Sequence, residues 1–236
     1  MVKEPLLILR LEAPLQSWGL RARWDVRDTG SDPSKSGVMG LLACAFGYPE
    51  GDARIEQSLD ANLQMGVRVE LPGTIATDFH TISGNLPQAD GGVKGSKGEG
   101  STIISPRQYL HDASFLVVLA GPSEFLNQCA AVLQDPHWPL YLGRKACIPT
   151  RPVFEALTGD FASIDDALKN YPWHVSGAGG KPRRGAIPQK LRCILDDPVG
   201  RSIRPDRVST SPMRMYRTRQ VREMWVDTPV TPQEGS

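Results

Sequence analysis

LLILRL, residues 6–11, is a short apolar run whose single polar member is Arg10. A strand without a polar face is the pattern expected of a central strand buried on both sides. Pro14 ends the run, and a polar loop bearing Arg21 and Arg23 follows. Next, SGVMGLLACAF (36–46) carries Val38, Met39, Leu41, Leu42, Ala45 and Phe46 at helical spacing, with Ser34 or Ser36 as N-cap and Gly47 as the stop. In NLQMGVRV (62–69) the apolar residues Leu63, Met65, Val67 and Val69 alternate with polar or small ones, which predicts a half-buried strand closed by Pro72 and Gly73. The order then repeats. ASFLVVLA (113–120) is β-prone, Gly121 and Pro122 break it, and Ser123 caps a helix with Phe125, Leu126, Cys129, Val132 and Leu133 on one face. A last short strand is expected around residues 140–142. Two β-α-β units in succession define an α+β, ferredoxin-like (RNA-recognition-type) fold, in which two helices cover one face of a four-stranded antiparallel sheet. The rival, a doubly wound parallel sheet, wants a crossover helix where the chain has residues 74–112.

That interval holds six glycines between Gly84 and Gly100, with Lys94 and Lys97 among them. Such a stretch cannot pack a core. Flanked by TDFHTI (77–82) and TIISPRQYL (102–110), it reads as the tip of a β-hairpin projecting from the sheet, or else as an insertion without function. No phosphate-cradling glycine motif accompanies it. Beyond Pro149, Ser163-x-x-Asp166 resembles a capping box opening a short helix to Tyr171, and RMYRTRQVREMWV (214–226) reads as a strand with arginines on both faces. Two parts are therefore expected: residues 1–150 as the main domain, and 151–236 as a loop-rich basic extension whose tail from Thr228 is frayed.

The 236 residues are 40% hydrophobic and 22% charged, the balance of a globular protein. The longest wholly apolar runs, 41–46 and 115–120, are six residues, far short of the ~20 residues of a membrane span, so a cytoplasmic protein without membrane partners is expected. Four cysteines lie far apart with no C-x-x-C pair and read as spectators, and neither a metal nor a cofactor is called for. The net charge of +1 conceals an asymmetry: Lys181 to Arg222 holds twelve Lys and Arg against three Asp, a net of +9, which leaves −8 for the rest. Either a polyanionic partner neutralises that segment or it forms a solvated face.

Enzymatic motifs are weak. No H-E-x-x-H or G-x-S-x-G occurs. His80 on one hairpin strand, with Tyr109 and His111 on the other, would suit metal-free RNA cleavage if the three converged, though a lone strand histidine is more often a surface hydrogen-bonding residue. Binding elements are better marked. Lys35, Ser36 and Gly37 open a helix whose first amides could seat a phosphate, unless the serines simply cap them. Tyr141, Gly143, Arg144 and Lys145 combine an aromatic, a close-approach glycine and two cations, the mix used on single-stranded RNA. Gln16, Ser17, Trp18 and Gly19 follow a strand in the same way, although Trp18 fits the core equally well.

Taken in order, LILRLEAPLQSWG (7–19), PSKSGVMGLLACAFG (33–47), DFHTISG (78–84), RQYLHDASFLVVL (107–119) and YLGRKACIPTRPVF (141–154) resemble the fifth family of CRISPR-associated proteins, within the RAMP superfamily, in its type I-E Cascade branch. The resemblance covers about two thirds of the chain. It implies a modified ferredoxin-like fold with a hairpin thumb over about residues 78–110 and a non-catalytic role in antiviral defence, holding the 5′ handle of crRNA beside a backbone subunit and the large subunit that reads the protospacer-adjacent motif. Target DNA would be met indirectly or at the thumb. The handle would lie near Gln16, Ser17, Trp18, Gly19, Lys35, Ser36, Gly37, His80, Arg107, Tyr109, Gly143, Arg144 and Lys145. Type I-C relatives cleave the repeat, which keeps His80 and Tyr109 as alternative catalytic residues.

Overall fold

The computed structural model describes residues 4–20, 27–83, 86–87, 92–94, 102–173, 188–210 and 217–229. In chain order it holds β1 (Leu6–Glu12), β2 (Leu15–Gln16), α1 (Lys35–Phe46), a π-helical segment (Ile55–Asp60), β3 (Gln64–Leu71), β4 (Thr74–Ser83), β5 (Leu86–Pro87), β6 (Val93–Lys94), β7 (Thr102–His111), β8 (Ser114–Ala120), α2 (Ser123–Gln134), β9 (Phe154–Thr158), α3 (Ile164–Asn170), β10 (Lys190–Asp196), β11 (Ser202–Arg207) and β12 (Arg217–Asp227). This is a mixed α/β molecule built on antiparallel sheets. The main sheet has seven strands in the order β11-β12-β10-β3-β8-β1-β9, with β1 and β8 among its inner members.

Both faces of that sheet are covered, as the unbroken apolar run in β1 requires. On one face Leu7, Leu9, Val67, Phe115 and Val117 pack with Met39 and Leu42 of α1 and Leu126 and Cys129 of α2. On the other, Leu6, Ile8, Leu116 and Val118 meet Ile164, Ala167 and Leu168 of α3 and Leu191 of β10. Arg10, the polar residue of the run, is fully buried on the second face, with guanidinium nitrogens 3.5 Å from Glu70 and 3.5 Å from Glu155. β3, expected to be half-buried, is covered on both faces because α3 and the later strands supply a second layer.

The helix boundaries follow local chemistry. Ser34 caps α1, its hydroxyl accepting from the Gly37 amide, and Gly47 closes the helix at φ 75°. Ser163 caps α3 by accepting from the Asp166 amide, as its spacing predicts. Two expectations are corrected. Ser123 is the first residue of α2 rather than its cap, which is Pro122 without a side-chain bond. Residues 140–142 form no strand: Gly143 turns the chain at φ 95°, and the Leu142 amide donates back to the Cys147 carbonyl. The next strand in the chain is β9, twelve residues on, which pairs with β1 at the edge of the sheet.

The hairpin is present. β4 and β7 pair in unbroken register from Thr74↔His111 to Ser83↔Thr102, longer at its base than residues 78–110, and two-residue β2 joins β7 at its root. Nearly every β4 residue is exposed. A strand pair with so little buried surface takes its direction from the contacts at its root. Most of the glycine-rich tip, including Lys97, lies outside the described residues.

Candidate nucleic-acid interface

Three sequence motifs converge beside the hairpin root. The Ser17 amide donates to the Leu142 carbonyl at 3.0 Å, which lays residues 17–19 against the 141–147 turn. Gly143 makes this approach possible, since a Cβ there would sit 1.7 Å from the Ser17 carbonyl oxygen. Gly37 allows the Trp18 ring under the start of α1: a Cβ at position 37 would lie 2.8 Å from that ring. The result is a cleft of about 510 Å³ lined by Ser17, Trp18, Gly19, Arg27, Asp28, Ser36, Gly37, Tyr141, Gly143 and Arg144, among others.

Several residues expected to touch a ligand are committed to the wall instead. Gln16 is fully buried, donating to the Ala113 carbonyl at 2.8 Å and accepting from the Trp18 indole at 3.0 Å. Trp18 is 1% exposed and belongs to the core. The phosphate seat expected at Lys35 is filled from within the chain: its amide donates to Asp206 at 3.0 Å and its ammonium to Asp196 at 3.0 Å, both under cover. A helix N-terminus attracts an anion, and here the anion is a carboxylate 171 residues away. Arg144 donates to the carbonyls of Gln108 (2.8 Å), Arg27 (2.9 Å) and Asp28 (3.3 Å), and its guanidinium lies 4.7 Å above the Tyr109 ring. Carbonyls are neutral, so Arg144 keeps its positive charge at the cleft.

On the hairpin, His80 is paired with Asp78 at 3.0 Å and its ring lies 6.2 Å from that of Tyr109, which is 4% exposed. His111 pairs across the root with Thr74, whereas His80 pairs with Ser105. Six strand positions, ~20 Å, therefore separate the two histidines, so the three residues considered for cleavage do not converge. Arg107 is half-buried, opposite Asp78 in the ladder. Lys145 is exposed, and Gly19, Ser36 and Tyr141 are half-buried. Arg27 and Asp28 were missed because the loop before them carries no periodicity or motif. Arg27 extends the edge of β7, its amide donating to Pro106 and its carbonyl accepting from Gln108.

Much of the basic C-terminal segment finds its anions inside the molecule. Arg192 and Arg204 both pair with Asp32, Arg207 with Asp60, Arg217 with Glu56, and Arg222 with Asp165 at 3.2 Å and Asp197 at 3.1 Å. Arg219 bridges Asp206 and Asp196. Burial alone would push the Asp32 carboxyl up, but the hydrogen bonds and charges of Arg204 and Arg192 outweigh it and hold the group below its usual range. Asp196 behaves alike: burial opposes Arg219 and Lys35, and the cations win. The +9 and −8 parts of the chain thus neutralise one another in large measure. Lys181, Arg183, Arg184 and Arg214 lie outside the described residues. Among the described residues, no cluster of three or more His, Cys, Asp or Glu is arranged to hold a metal, and no helix is long and apolar enough to cross a membrane. Burial pushes the Cys129 and Cys193 thiols up to about 12.

The described residues thus form a hairpin rooted beside a cleft on an antiparallel sheet. The family described as CRISPR-associated protein (Cas_Cas5) matches residues 6–227, and the chain belongs to it. It is similar to the CRISPR system Cascade subunit CasD of Escherichia coli (strain K12), 33% identical over 176 residues, which cover 70% of this chain and 76% of that relative. Two solved structures superpose well. A chain of a CRISPR RNA-guided surveillance complex has a TM-score of 0.73 at 31% identity, covering 95% of this chain and 91% of that one. A crystal structure of a Cas protein has a TM-score of 0.70 at 32% identity, covering 96% and 99%.

Proposed function

We propose that this protein is a crRNA-binding subunit of a Cascade-type surveillance complex, seating the 5′ handle in the cleft at the hairpin root without cutting it. The observation that carries the reading is the meeting of Ser17, Trp18, Gly19, Ser36, Gly37, Tyr141, Gly143 and Arg144 in one cleft beside a projecting hairpin. A single-stranded handle wants stacking surface, open hydrogen-bonding groups and a few cations. Gly19, Ser36 and Tyr141 supply these at the cleft, with exposed Lys145 next to it and His80 and Arg107 on the hairpin, while buried Ser17 lines its wall. Gln16, Trp18, Lys35 and Gly37 act by shaping the wall. The likeness to CasD and to a chain of a surveillance complex supports partners of the same kind: a backbone subunit, the large subunit that reads the protospacer-adjacent motif, and target DNA met indirectly, all in the cytoplasm. The run β9-β1-β8-β3, with α1 and α2 on one face, supports a modified ferredoxin-like core, and β10–β12 extend it as the C-terminal part.

Nucleotide-resolved cross-linking of the complex assembled on its crRNA tests the assignment. Cross-links from the handle should fall on Gly19, Tyr141, Lys145 and the hairpin, and handle cross-links that reach only other subunits would remove the chain from RNA. Lys145→Ala should lower the slope of log affinity against log salt by about one, as expected for one lost phosphate contact. Incubation with repeat RNA in a chelator should yield no cleavage, and products that vanish in His80→Ala would replace this reading with an endoribonuclease.

A further inference from the structure

The guanidinium of Arg144 ties together three segments of the chain, its own turn, β7 and the loop at Arg27 and Asp28. Its Nη1 donates to Gln108 of β7 at 2.8 Å, and its Nη2 to Arg27 at 2.9 Å and Asp28 at 3.3 Å in the returning loop. The Arg27 carbonyl also accepts from the Gln108 amide at 2.8 Å, so both its lone pairs are used. The flat face of the same group covers the Tyr109 ring at 4.7 Å, and that ring in turn lies 6.2 Å from His80. Arg144 itself is held by its neighbour: Gly143, at φ 95° and against the Ser17 backbone, fixes where the side chain starts. A planar fork can meet carbonyls in separate directions while stacking on a ring. An ammonium on a flexible stem cannot do both.

We infer that Arg144 is the positioning residue that sets the inclination of the hairpin over the cleft, and that it acts on RNA through the hairpin rather than by gripping a phosphate. Nearly all of β4 is exposed, and β7 is covered from Ser105 to His111, where Arg144, β2 and Arg27 hold it, so the direction of the hairpin is decided there. With three hydrogen bonds from its Nη atoms going to backbone carbonyls, Arg144 offers the cleft charge but only part of its five-donor hydrogen-bonding capacity. The RNA half of the inference rests on the crRNA-binding reading above, whereas the clamp itself does not.

Amide hydrogen exchange on the full chain and crRNA retention by the assembled complex test it together, in Arg144→Ala and in Arg144→Lys, which keeps the charge. Should the alanine variant fail to fold, Arg144→Gln, which keeps a donor for one carbonyl, replaces it. In both variants the Gln108 amide should exchange at least about tenfold faster, and crRNA should be held about tenfold less tightly, the loss of roughly one charge-assisted hydrogen bond. The salt slope should not change, because no phosphate contact is lost. Millimolar guanidinium should restore retention to the alanine variant, and the same concentration of ammonium should not. A Gln108 amide at the wild-type rate in both variants overturns the clamp. A slope lowered by about one, or faster exchange with crRNA retention intact, overturns the positioning role. If the wild-type chain itself retains no crRNA, the proposed function falls, while the exchange measurement still decides the clamp.

Discussion

At position 143 the allowed residue is set by a backbone contact. A side chain there would meet the Ser17 carbonyl oxygen at 1.7 Å, and φ of 95° is a conformation that L side chains rarely adopt. Backbone strain of this kind costs ~1–3 kcal/mol, and relieving the overlap means opening the junction between residues 17–19 and the 141–147 turn. Gly143→Ala should therefore cost more than about 3 kcal/mol and lower the melting temperature by roughly 10 °C, read by thermal denaturation. A variant melting within about 2 °C of wild type would show that the junction yields cheaply. The sequence marks this glycine as a place of close approach but does not say to what, and the neighbour is Ser17 rather than a ligand. Trp18 is similar. Nothing in QSWG (16–19) tells whether the indole faces out to stack on a base or in, and its hydrogen bond to buried Gln16 decides for the core.

Among the elements, β10 to β12 are joined to the rest by backbone pairing with β3 and by carboxylates drawn from distant parts of the chain. Asp32, 3% exposed, holds Arg192 and Arg204 together, so its removal would leave two partly covered guanidiniums without their main anion. Asp32→Asn should cost about 3 kcal/mol near pH 7. The pH dependence has a definite sign. The folded state lowers the Asp32 pKa below its ordinary 3.8, so the carboxylate stabilises above that value and loses its effect as pH falls through the lower folded one. Urea titrations of wild type and variant should therefore differ most near neutrality and converge below about pH 4. Parallel curves across that range would mean that the ion pairs contribute nothing measurable. The same pairing explains why a run of ten arginines and two lysines is poor evidence for a polyanionic partner: linear charge density does not report which carboxylates fold back onto it.

Over the whole molecule, the sheet does not respect a division near residue 150. β9 flanks β1, β10 flanks β3, and α3 covers Leu6, Ile8, Leu116 and Val118 on the face away from α1 and α2. A chain ending at residue 150 would expose those four aliphatic side chains, a loss on the order of 10 kcal/mol at ~1.5–3 kcal/mol each. Native stabilities are only ~5–15 kcal/mol, so the shortened chain should be insoluble or lack a cooperative melt, as circular dichroism and ultracentrifugation would reveal. Cooperative unfolding of that fragment would mean that the α1/α2 face suffices.

The elements that recur at a fixed period were readable from the residues alone: the apolar run of β1, the alternation of β3, both capped helices and the paired flanks of the hairpin. Periodicity is a local consequence of burying one face, so it survives in a bare sequence. The motifs of the cleft were readable too, as residue types. The fold alone settled which of those residues point outward, which anion fills the start of α1, which strands flank β1 and β3 in the seven-stranded sheet, and which carboxylates meet the basic segment. Each of these depends on contacts between residues far apart in the chain, and spacing along the chain carries no record of distance through space.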